Sequence, residues 1–138
     1  MLAPTFRARD LARFVPLQIL QQLADTKSAA IAPRKDSLAA TVLFADISGF
    51  TALSERMGKR GAEGVEELTQ TLNDYFGLLI EVVLSSGGDI VKFAGDALLA
   101  IWPISENHAD RSVISAAQCA LKAQEVLSNC TTRDGEKL

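Results

Sequence analysis

The sequence predicts an α/β protein, an α+β sandwich in which a small sheet packs against helices. Two short apolar stretches, 41–51 and 87–102, have the patterns of a strand and of a two-stranded hairpin, and they bring one carboxylate each, Asp46 or Asp96, to a strand end or to the hairpin turn. The stretches 62–84 and 109–127 instead repeat apolar residues at three- and four-residue steps, as amphipathic helices do. With 138 residues, 48% of them hydrophobic, the chain has room for one domain with a substantial core.

The first 37 residues are predicted to form a leader that precedes the main domain. Pro4, Pro16 and Pro33 interrupt it, and spaced apolar residues at 11–23 indicate one or two short amphipathic helices, broken or started at Pro16. Packing against the main domain is favoured over a membrane or partner role. Arginines in the first 20 residues leave a transit peptide as an alternative. The predicted division is leader 1–37, main domain 38–128 and polar tail 129–138.

The main domain is expected to begin with a strand and a turn into a helix. Residues 38–45 form a continuous apolar run, as expected for a central strand that helices cover on its buried face. Ser48 and Gly49 turn the chain, and a short helix is predicted over 50–57. The N–H groups at the start of this helix can bind an anion without a basic side chain.

A long amphipathic helix is predicted over 62–84. Its apolar residues recur at helical spacing and are expected to face the core: Val65, Leu68, Leu72, Tyr75, Phe76, Leu79, Val82 and Val83. The run from Ser85 to Gly88 ends it.

A tight hairpin and a third main helix follow. Strands are predicted over 89–93 and 97–102, joined through Gly95, which supplies the positive φ that a tight turn needs. The helix at 109–127 is expected to place its apolar residues on one side: Val113, Ala116, Ala117, Ala120, Leu121 and Leu127.

The resulting order, β-α-α-β-β-α, is most of a ferredoxin-like sandwich. The complete form of that fold needs at least one more strand after the last helix. Without that strand, one sheet edge keeps unpaired backbone groups. The sequence is therefore interpreted as the front part of a longer domain, truncated after its third main helix.

Composition argues against several classes of partner. A net charge of −3 offers no basic surface for nucleic acid. No apolar run reaches the ~18 residues of a membrane-spanning helix, so no transmembrane segment is expected. Cys119 and Cys130 fall in one predicted helix, too far apart to pair, and two lone thiols are typical of a reducing, cytoplasmic environment.

Asp46 and Asp96 are the candidate functional residues. Each follows or precedes an apolar strand, and two carboxylates ~4 Å apart would repel by roughly 4 kcal/mol at an effective dielectric near 20. A divalent cation between them removes that cost, and oxygen ligands favour Mg²⁺ or Mn²⁺ over zinc. Two such ions beside a phosphate suit in-line attack at phosphorus. On residue types alone, a plainer alternative is slightly favoured: Asp46 caps the following helix and Asp96 is a turn residue.

Two motifs add a family resemblance. F-A-D-I-S-G-F-T at 44–51 and K-F-A-G-D-A-L-L-A-I-W at 92–102 resemble the two metal-binding motifs of the class III nucleotidyl cyclase catalytic domain. The first catalytic domain of bicarbonate-stimulated soluble adenylyl cyclases is the most similar group. R-G-A-E at 60–63 and G-G-D-I at 87–90 fit as well, and the resemblance covers 38–125. A diguanylate cyclase would have Glu-Phe where Ile90 and Val91 stand.

The resemblance implies an adenylate cyclase, a phosphorus-oxygen lyase that forms 3′,5′-cyclic AMP and pyrophosphate from ATP. Asp46, Asp96 and the Ile47 carbonyl would bind two Mg²⁺ or Mn²⁺ ions, and the two aspartates would be the catalytic residues. The main-chain N–H groups of four residues would hold the β- and γ-phosphates: Ser48, Gly49, Phe50 and Thr51.

Lys92 matches the family position that reads the purine, and a lysine there favours ATP over GTP. In homodimeric cyclases this lysine would read adenine in the half-site of the partner. In the soluble two-domain enzymes the same position of the first domain would instead help to bind bicarbonate. A surface lysine is the third alternative.

The resemblance also implies that this chain is incomplete as an enzyme. The family's ribose-positioning asparagine and transition-state arginine lie beyond the last helix, and Asn129 and Arg133 are not in their places. A second cyclase domain, in trans or later in a longer chain, would supply them. The alternative is a catalytically inactive, cyclase-like regulatory module that binds nucleotide or bicarbonate. A purely structural domain is the third reading.

Overall fold

The computed structural model describes residues 15–25, 35–104, 109–128 and 130. The chain divides into two compact units, Met1–Leu38 and Ala39–Leu138. In the first unit, helix α1 (Leu17–Asp25) begins directly after Pro16, whose carbonyl accepts hydrogen bonds from the N–H groups of Ile19 and Leu20. The prediction of a helix started at Pro16 is therefore confirmed, while residues 11–14 lie outside the described ranges.

The second unit has the predicted order of elements. Its strands and helices are β1 (Ala40–Asp46), α2 (Phe50–Lys59), α3 (Ala62–Ser85), β2 (Asp89–Ala94), β3 (Ala97–Pro103) and α4 (Ala109–Leu127). Gly95 has a φ of 67° in the turn between β2 and β3, as the hairpin prediction requires. Thus sequence periodicity located each element to within two residues at either end.

The sheet places β3 at its centre. The strand order is β1-β3-β2, and both pairings are antiparallel. Within the described residues β1 is paired on one side, by β3, so the expectation that the first strand is central stays a prediction for the longer domain. Val42 and Phe44 of β1 are 57% and 62% exposed on the sheet face that the helices leave open.

The core lies between the other sheet face and the helices α3 and α4. It is a cluster of buried residues: Ile47, Tyr75, Leu79, Val82, Val83, Leu98, Ala100, Trp102, Ala116, Cys119, Ala123 and Leu127. The Trp102 Nε1–H group donates to the Ser86 carbonyl at 2.9 Å. Gly88 lies under the indole ring, where a Cβ atom would come within 2.6 Å of it. Close packing and this hydrogen bond hold the segment before β2 against Trp102 of β3.

The buried faces of α3 and α4 differ in part from the predicted ones. On α3, Val65 is exposed, whereas Glu67 and Thr71 are buried. On α4, Val113 and Leu121 are exposed, and Ser112 is buried because its hydroxyl accepts a hydrogen bond from Thr41 Oγ1 on β1 at 3.1 Å. Apolar residues outnumber what one helix face can bury, so periodicity alone did not select the inward stripe.

The two cysteines do not share a helix. Cys119 is buried in α4, while Cys130 lies three residues beyond its last residue, and both are free thiols. Burial raises the pKa of both, which keeps the thiols protonated near neutral pH. None of the helices in the described ranges has the length and apolarity that a membrane crossing requires.

Candidate active site at one end of the sheet

The sheet register brings the two predicted carboxylates to the same end of the sheet. Asp46 is the last residue of β1 and pairs with Ala97, the first residue of β3. Asp96 directly precedes Ala97 in the β2–β3 turn. The two aspartates therefore lie on neighbouring strand ends, although they are 50 residues apart in sequence.

A glycine turn links Asp46 to helix α2. The Phe50 N–H donates to the Ile47 carbonyl at 3.3 Å, and Gly49 has φ 79° and ψ 8°, the values of the third residue of a type II turn. Gly49 is the N-cap of α2, so the alternative in which Asp46 caps this helix is wrong. Instead, the Asp46 Oδ1 atom accepts the Ile47 N–H at 3.1 Å.

The two carboxylates are accessible rather than buried. Asp46 is exposed and Asp96 half-buried, so a burial penalty does not by itself call for a cation. Their chemistry nevertheless fits a hard cation, because both offer carboxylate oxygens and the Ile47 carbonyl keeps a second lone pair beside its bond to Phe50. Within the described residues, no cluster of three or more His, Cys, Asp or Glu is present.

The four predicted phosphate-binding residues occupy this turn and the start of α2. Ser48 and Gly49 form the turn, and Phe50 and Thr51 open the helix. The Phe50 N–H is engaged by Ile47, whereas Ile47 itself is 4% exposed and anchors the turn in the core. The segment combines a buried anchor with exposed backbone at the positive end of a helix, which suits an anion.

Lys92 lies on the open face of the sheet, the face opposite the helices. In the register, Lys92 of β2 is opposite Leu99 of β3, which is opposite Phe44 of β1. A β-bulge at Val91, between Ile90 and Lys92, reverses the alternation of side chains. Without this extra residue, Lys92 would point to the covered face. The bulge therefore decides that Lys92 is exposed on the same face as Asp46.

The structure adds a groove that sequence reasoning missed. We call it the edge groove: it runs along the outer side of β1 and encloses about 600 Å³. Its wall is the consecutive run 43–48, and α3 and α4 provide the rest of its lining: Tyr75, Leu79, Ala120, Ala123, Gln124, Leu127 and Ser128.

Tyr75 lines this groove together with Asp46. Burial is the main cause that raises the pKa of the Tyr75 phenol, and the nearby Cys130 and Asp46 raise it further. The phenol therefore stays protonated. Its place in an apolar helical stripe gave no signal that it neighbours the site.

Element order, sheet order and the two aspartates at one sheet end define a class III nucleotidyl cyclase domain. The chain belongs to the family described as the adenylate and guanylate cyclase catalytic domain, whose profile matches residues 32–138.

Curated relatives agree with this assignment. Adenylate cyclase type 10 of Oryctolagus cuniculus is 35% identical over 105 residues, which are 75% of this chain and 6% of that protein. Adenylate cyclase type 10 of Homo sapiens is 38% identical over 92 residues, 65% of this chain and 6% of that protein. Adenylate cyclase 1 of Rhizobium meliloti (strain 1021) is 37% identical over 63% of this chain and 12% of that protein. The chain thus spans a small fraction of these relatives.

Solved structures share the fold. The adenylyl cyclase CyaB of P. aeruginosa has 33% identity and a TM-score of 0.54, over 63% of this chain and 42% of that chain. The guanylyl cyclase Cya2 has 33% identity and a TM-score of 0.53, over 64% of this chain and 41% of that chain. A bacterial light-regulated adenylyl cyclase shows the same fold at a TM-score of 0.61 and 21% identity, over 86% of this chain and 32% of that chain. Equal similarity to an adenylyl and a guanylyl cyclase leaves the choice of purine to individual residues.

Proposed function

We propose that this chain supplies the metal-binding half of an adenylyl cyclase site, which converts ATP into 3′,5′-cyclic AMP and pyrophosphate. The observation that carries this proposal is the sheet register, which puts Asp46 opposite Ala97 and so next to Asp96. Two carboxylates at one end of a sheet, beside a helix N-terminus, can hold a cation, and the helix N-terminus can hold the phosphates of a nucleotide.

The proposed roles follow from the position of each group. Asp46, Asp96 and the Ile47 carbonyl hold two divalent cations, Mg²⁺ or Mn²⁺. When bound, these ions lower the pKa of the 3′-hydroxyl and balance charge on the departing pyrophosphate. The backbone N–H groups of Ser48, Gly49 and Thr51 orient the β- and γ-phosphates, so that the α-phosphorus faces the attacking hydroxyl in line. The Phe50 N–H, which was also expected to bind phosphate, instead holds the turn through its bond to the Ile47 carbonyl.

Lys92 supports ATP as the substrate. It is exposed on the open face, where its ammonium can donate to a ring nitrogen of adenine bound across an interface. The same ammonium could bind bicarbonate in a second, non-catalytic pocket, and both roles agree with the geometry.

A partner domain completes the proposed site. Cyclase domains of this family act in pairs, and the open face carries the exposed apolar side chains that an interface needs, Val42 and Phe44 among them. The partner would supply the asparagine that positions the ribose and the arginine that stabilises the transition state. Asn129 and Arg133 lie outside the described residues. We place the enzyme in the cytoplasm, in keeping with its two free thiols.

A regulatory module without turnover is the second candidate. The presence of both aspartates weighs against it, because a module that binds nucleotide or bicarbonate without chemistry has no need of two cation ligands.

The test is Mn²⁺-dependent formation of cyclic AMP from ATP by this chain, alone and mixed with a complementing cyclase domain. That domain keeps its asparagine and arginine but lacks its own metal aspartates. We expect activity in the mixture alone. Asp46→Ala and Asp96→Ala should each reduce it at least about 100-fold, whereas Glu55→Ala, an exposed carboxylate on α2, should not.

Circular dichroism melting of each variant separates loss of the site from loss of the fold. A folded wild-type chain that is inactive in the mixture would favour the regulatory module. Activity of either aspartate variant within a few-fold of wild type would overturn the metal assignment.

A further inference from the structure

We propose that Phe93 of β2 and Phe76 of α3 are positioning residues for Lys92. Their edge-to-face contact selects the bulged register of β2, in which the Lys92 ammonium lies on the open face. The consequence for a bound ligand rests on the proposed function, whereas the effect on the register of the strand does not.

The apolar residues on the covered face of β2 have an irregular spacing. Ile90 and Phe93 are each opposite a fully buried residue of β3. They are three residues apart, whereas strict alternation puts residues two or four apart on one face. The bulge at Val91 supplies the missing step. It therefore lets both apolar side chains face the helices while Lys92, which lies between them in sequence, faces outward.

Phe93 is held on the covered face by a chain of aromatic contacts that ends in the core. Its ring meets the ring of Phe76 with the centroids 5.5 Å apart and the planes at 85°. Phe76 meets Tyr75 in the same manner, at 5.7 Å and 86°, and Tyr75 is 8% exposed. Such pairs stabilise beyond the area that they bury, because the positive edge of one ring faces the negative face of the other. Phe93 itself is 49% exposed, so the contact with Phe76, rather than full burial, ties it to the helices.

The competing arrangement is a β2 strand without the bulge. In that register Lys92 takes the place of Phe93 opposite Leu98, and Phe93 turns to the open face. The lysine alone disfavours this arrangement only weakly, because its stem can lie on apolar surface while the ammonium reaches water. The strand can change register because, among the described residues, β2 pairs with β3 alone. Loss of the edge-to-face contact is therefore the cost that separates the two registers.

The aromatic contact acts on Lys92 rather than on the proposed cation site. Phe93 directly follows Lys92 in the outer strand of the hairpin. Asp96 instead directly precedes Ala97 of the central strand β3, which is paired with Asp46. A change in the register of β2 should therefore alter what Lys92 binds more than it alters the binding of a cation.

The register is tested in the full 138-residue chain, without partner or nucleotide, by nuclear Overhauser effects from the Lys92 side chain. Lys92 is opposite Leu99 in the bulged register, so cross-peaks between these two side chains are expected. Phe93→Ala and Phe76→Ala should each weaken these cross-peaks at least about 3-fold, because the population shifts toward the other register. The double variant should weaken them no further, since both changes remove the same contact.

Two further variants serve as controls. Phe93→Tyr keeps the ring and should keep the cross-peaks of the wild type. Leu84→Ala removes an apolar side chain of α3 with a similar exposure, 55%, and should leave the cross-peaks unchanged. Circular dichroism melting shows whether each variant is folded.

The consequence for the ligand is measured in the mixture with the complementing cyclase domain. Lys92→Ala identifies the response that depends on the lysine, either the ratio of the KM values for ATP and GTP or the stimulation by bicarbonate. Phe93→Ala should change the same response in the same direction, by at least about 3-fold. It should have no further effect in the Lys92→Ala background, because it acts through Lys92. The Mn²⁺ concentration for half-maximal activity should not change.

Three results would overturn the proposal. The first is a Phe93→Ala chain that keeps the Lys92–Leu99 cross-peaks of the wild type. The second is an effect of Phe93→Ala that persists in the Lys92→Ala background, which would make its role generally structural. The third is a Lys92→Ala variant with neither response altered, which would leave no ligand to position. An inactive wild-type mixture would instead count against the proposed function, and the cross-peaks would still decide whether the aromatic pair sets the register.

Discussion

At the residue scale, Lys92 owes its position to the bulge beside it. The motif around Asp96 suggested a ligand-reading role for Lys92, but strict alternation from Asp89 would put this side chain on the covered face. The extra residue at Val91 reverses that outcome and places the ammonium on the open face. A role in binding a ligand across an interface is possible only in this orientation.

Charge reversal at Lys92 tests its two proposed roles. If Lys92 reads adenine, Lys92→Glu should raise the KM for ATP relative to that for GTP at least about 10-fold, because a carboxylate repels the ring acceptor that the lysine bonded. If Lys92 binds bicarbonate, the same change should abolish stimulation by bicarbonate and leave the ratio of KM values unaltered. Steady-state kinetics in the two-domain mixture measure both.

Lys122→Glu is the control for this change. Lys122 lies on α4 and forms an exposed ion pair with Glu125 at 2.9 Å. Its reversal should alter neither the purine preference nor the response to bicarbonate. If Lys92→Glu behaves like this control, Lys92 is a surface residue without a ligand.

At the element scale, the corner between α2 and α3 orients the helix that begins at the proposed phosphate site. Arg60 forms a salt bridge with Glu67, in which Nη2 of the arginine lies 2.9 Å from Oε2 of the carboxylate, and the Glu67 side chain is 7% exposed. The Arg60 Nη1–H group also donates a hydrogen bond to the Met57 sulfur at 3.4 Å. Gly64 lets the two helices approach, because a Cβ atom there would collide with the Met57 carbonyl. The close approach of α2 and α3 at this corner thus requires a glycine at position 64.

Two glycines of α3 provide an opposed pair of predictions. Gly64→Ala should destabilise the fold by about 1–3 kcal/mol, because backbone atoms of Met57 must move to accommodate the methyl group. Gly77→Ala, where no atom lies within 4 Å of the new Cβ, should stabilise it by about 0.5–1 kcal/mol through helix propensity. Urea unfolding followed by circular dichroism measures both. Equal effects of the same sign would contradict the close approach at Gly64.

At the scale of the whole molecule, local signals predicted the elements and long-range contacts decided their arrangement. Apolar periodicity and glycine punctuation gave the bounds of α4 and the β2–β3 hairpin, because both depend on neighbours in sequence. The central place of β3 depends on pairing between segments more than 50 residues apart. The burial of Glu67 depends on its salt bridge with Arg60, which lies between α2 and α3. Hydrophobic periodicity predicts neither the central place of β3 nor the burial of Glu67.

The candidate site divides in the same way. Asp46 and Asp96 were identified from their motifs, and the register then showed that they lie at the same end of the sheet. The edge groove could not be predicted, since its walls come from three elements and its existence depends on the outer position of β1. The apolar run at 38–45 was correctly identified as a strand that helices cover on its buried face, where Leu43 and Ala45 pack against the core. Periodicity did not show that Val42 and Phe44 extend this apolar character to an exposed sheet face.

That exposed face gives the last prediction, which concerns association with the partner domain. Val42 lies on the open face, is 57% exposed and does not line the edge groove. Val42→Lys should leave the free energy of unfolding of the isolated chain within about 0.5 kcal/mol of wild type, because the side chain is already solvated. It should nevertheless raise the partner concentration for half-maximal cyclase activity about 10-fold, because an ammonium would be desolvated in the interface. Leu121→Lys, at a 69% exposed position of α4, should leave that concentration unchanged. An unchanged half-maximal concentration for Val42→Lys would show that the partner does not cover the open face, and the apolar run of β1 would then need a different occupant.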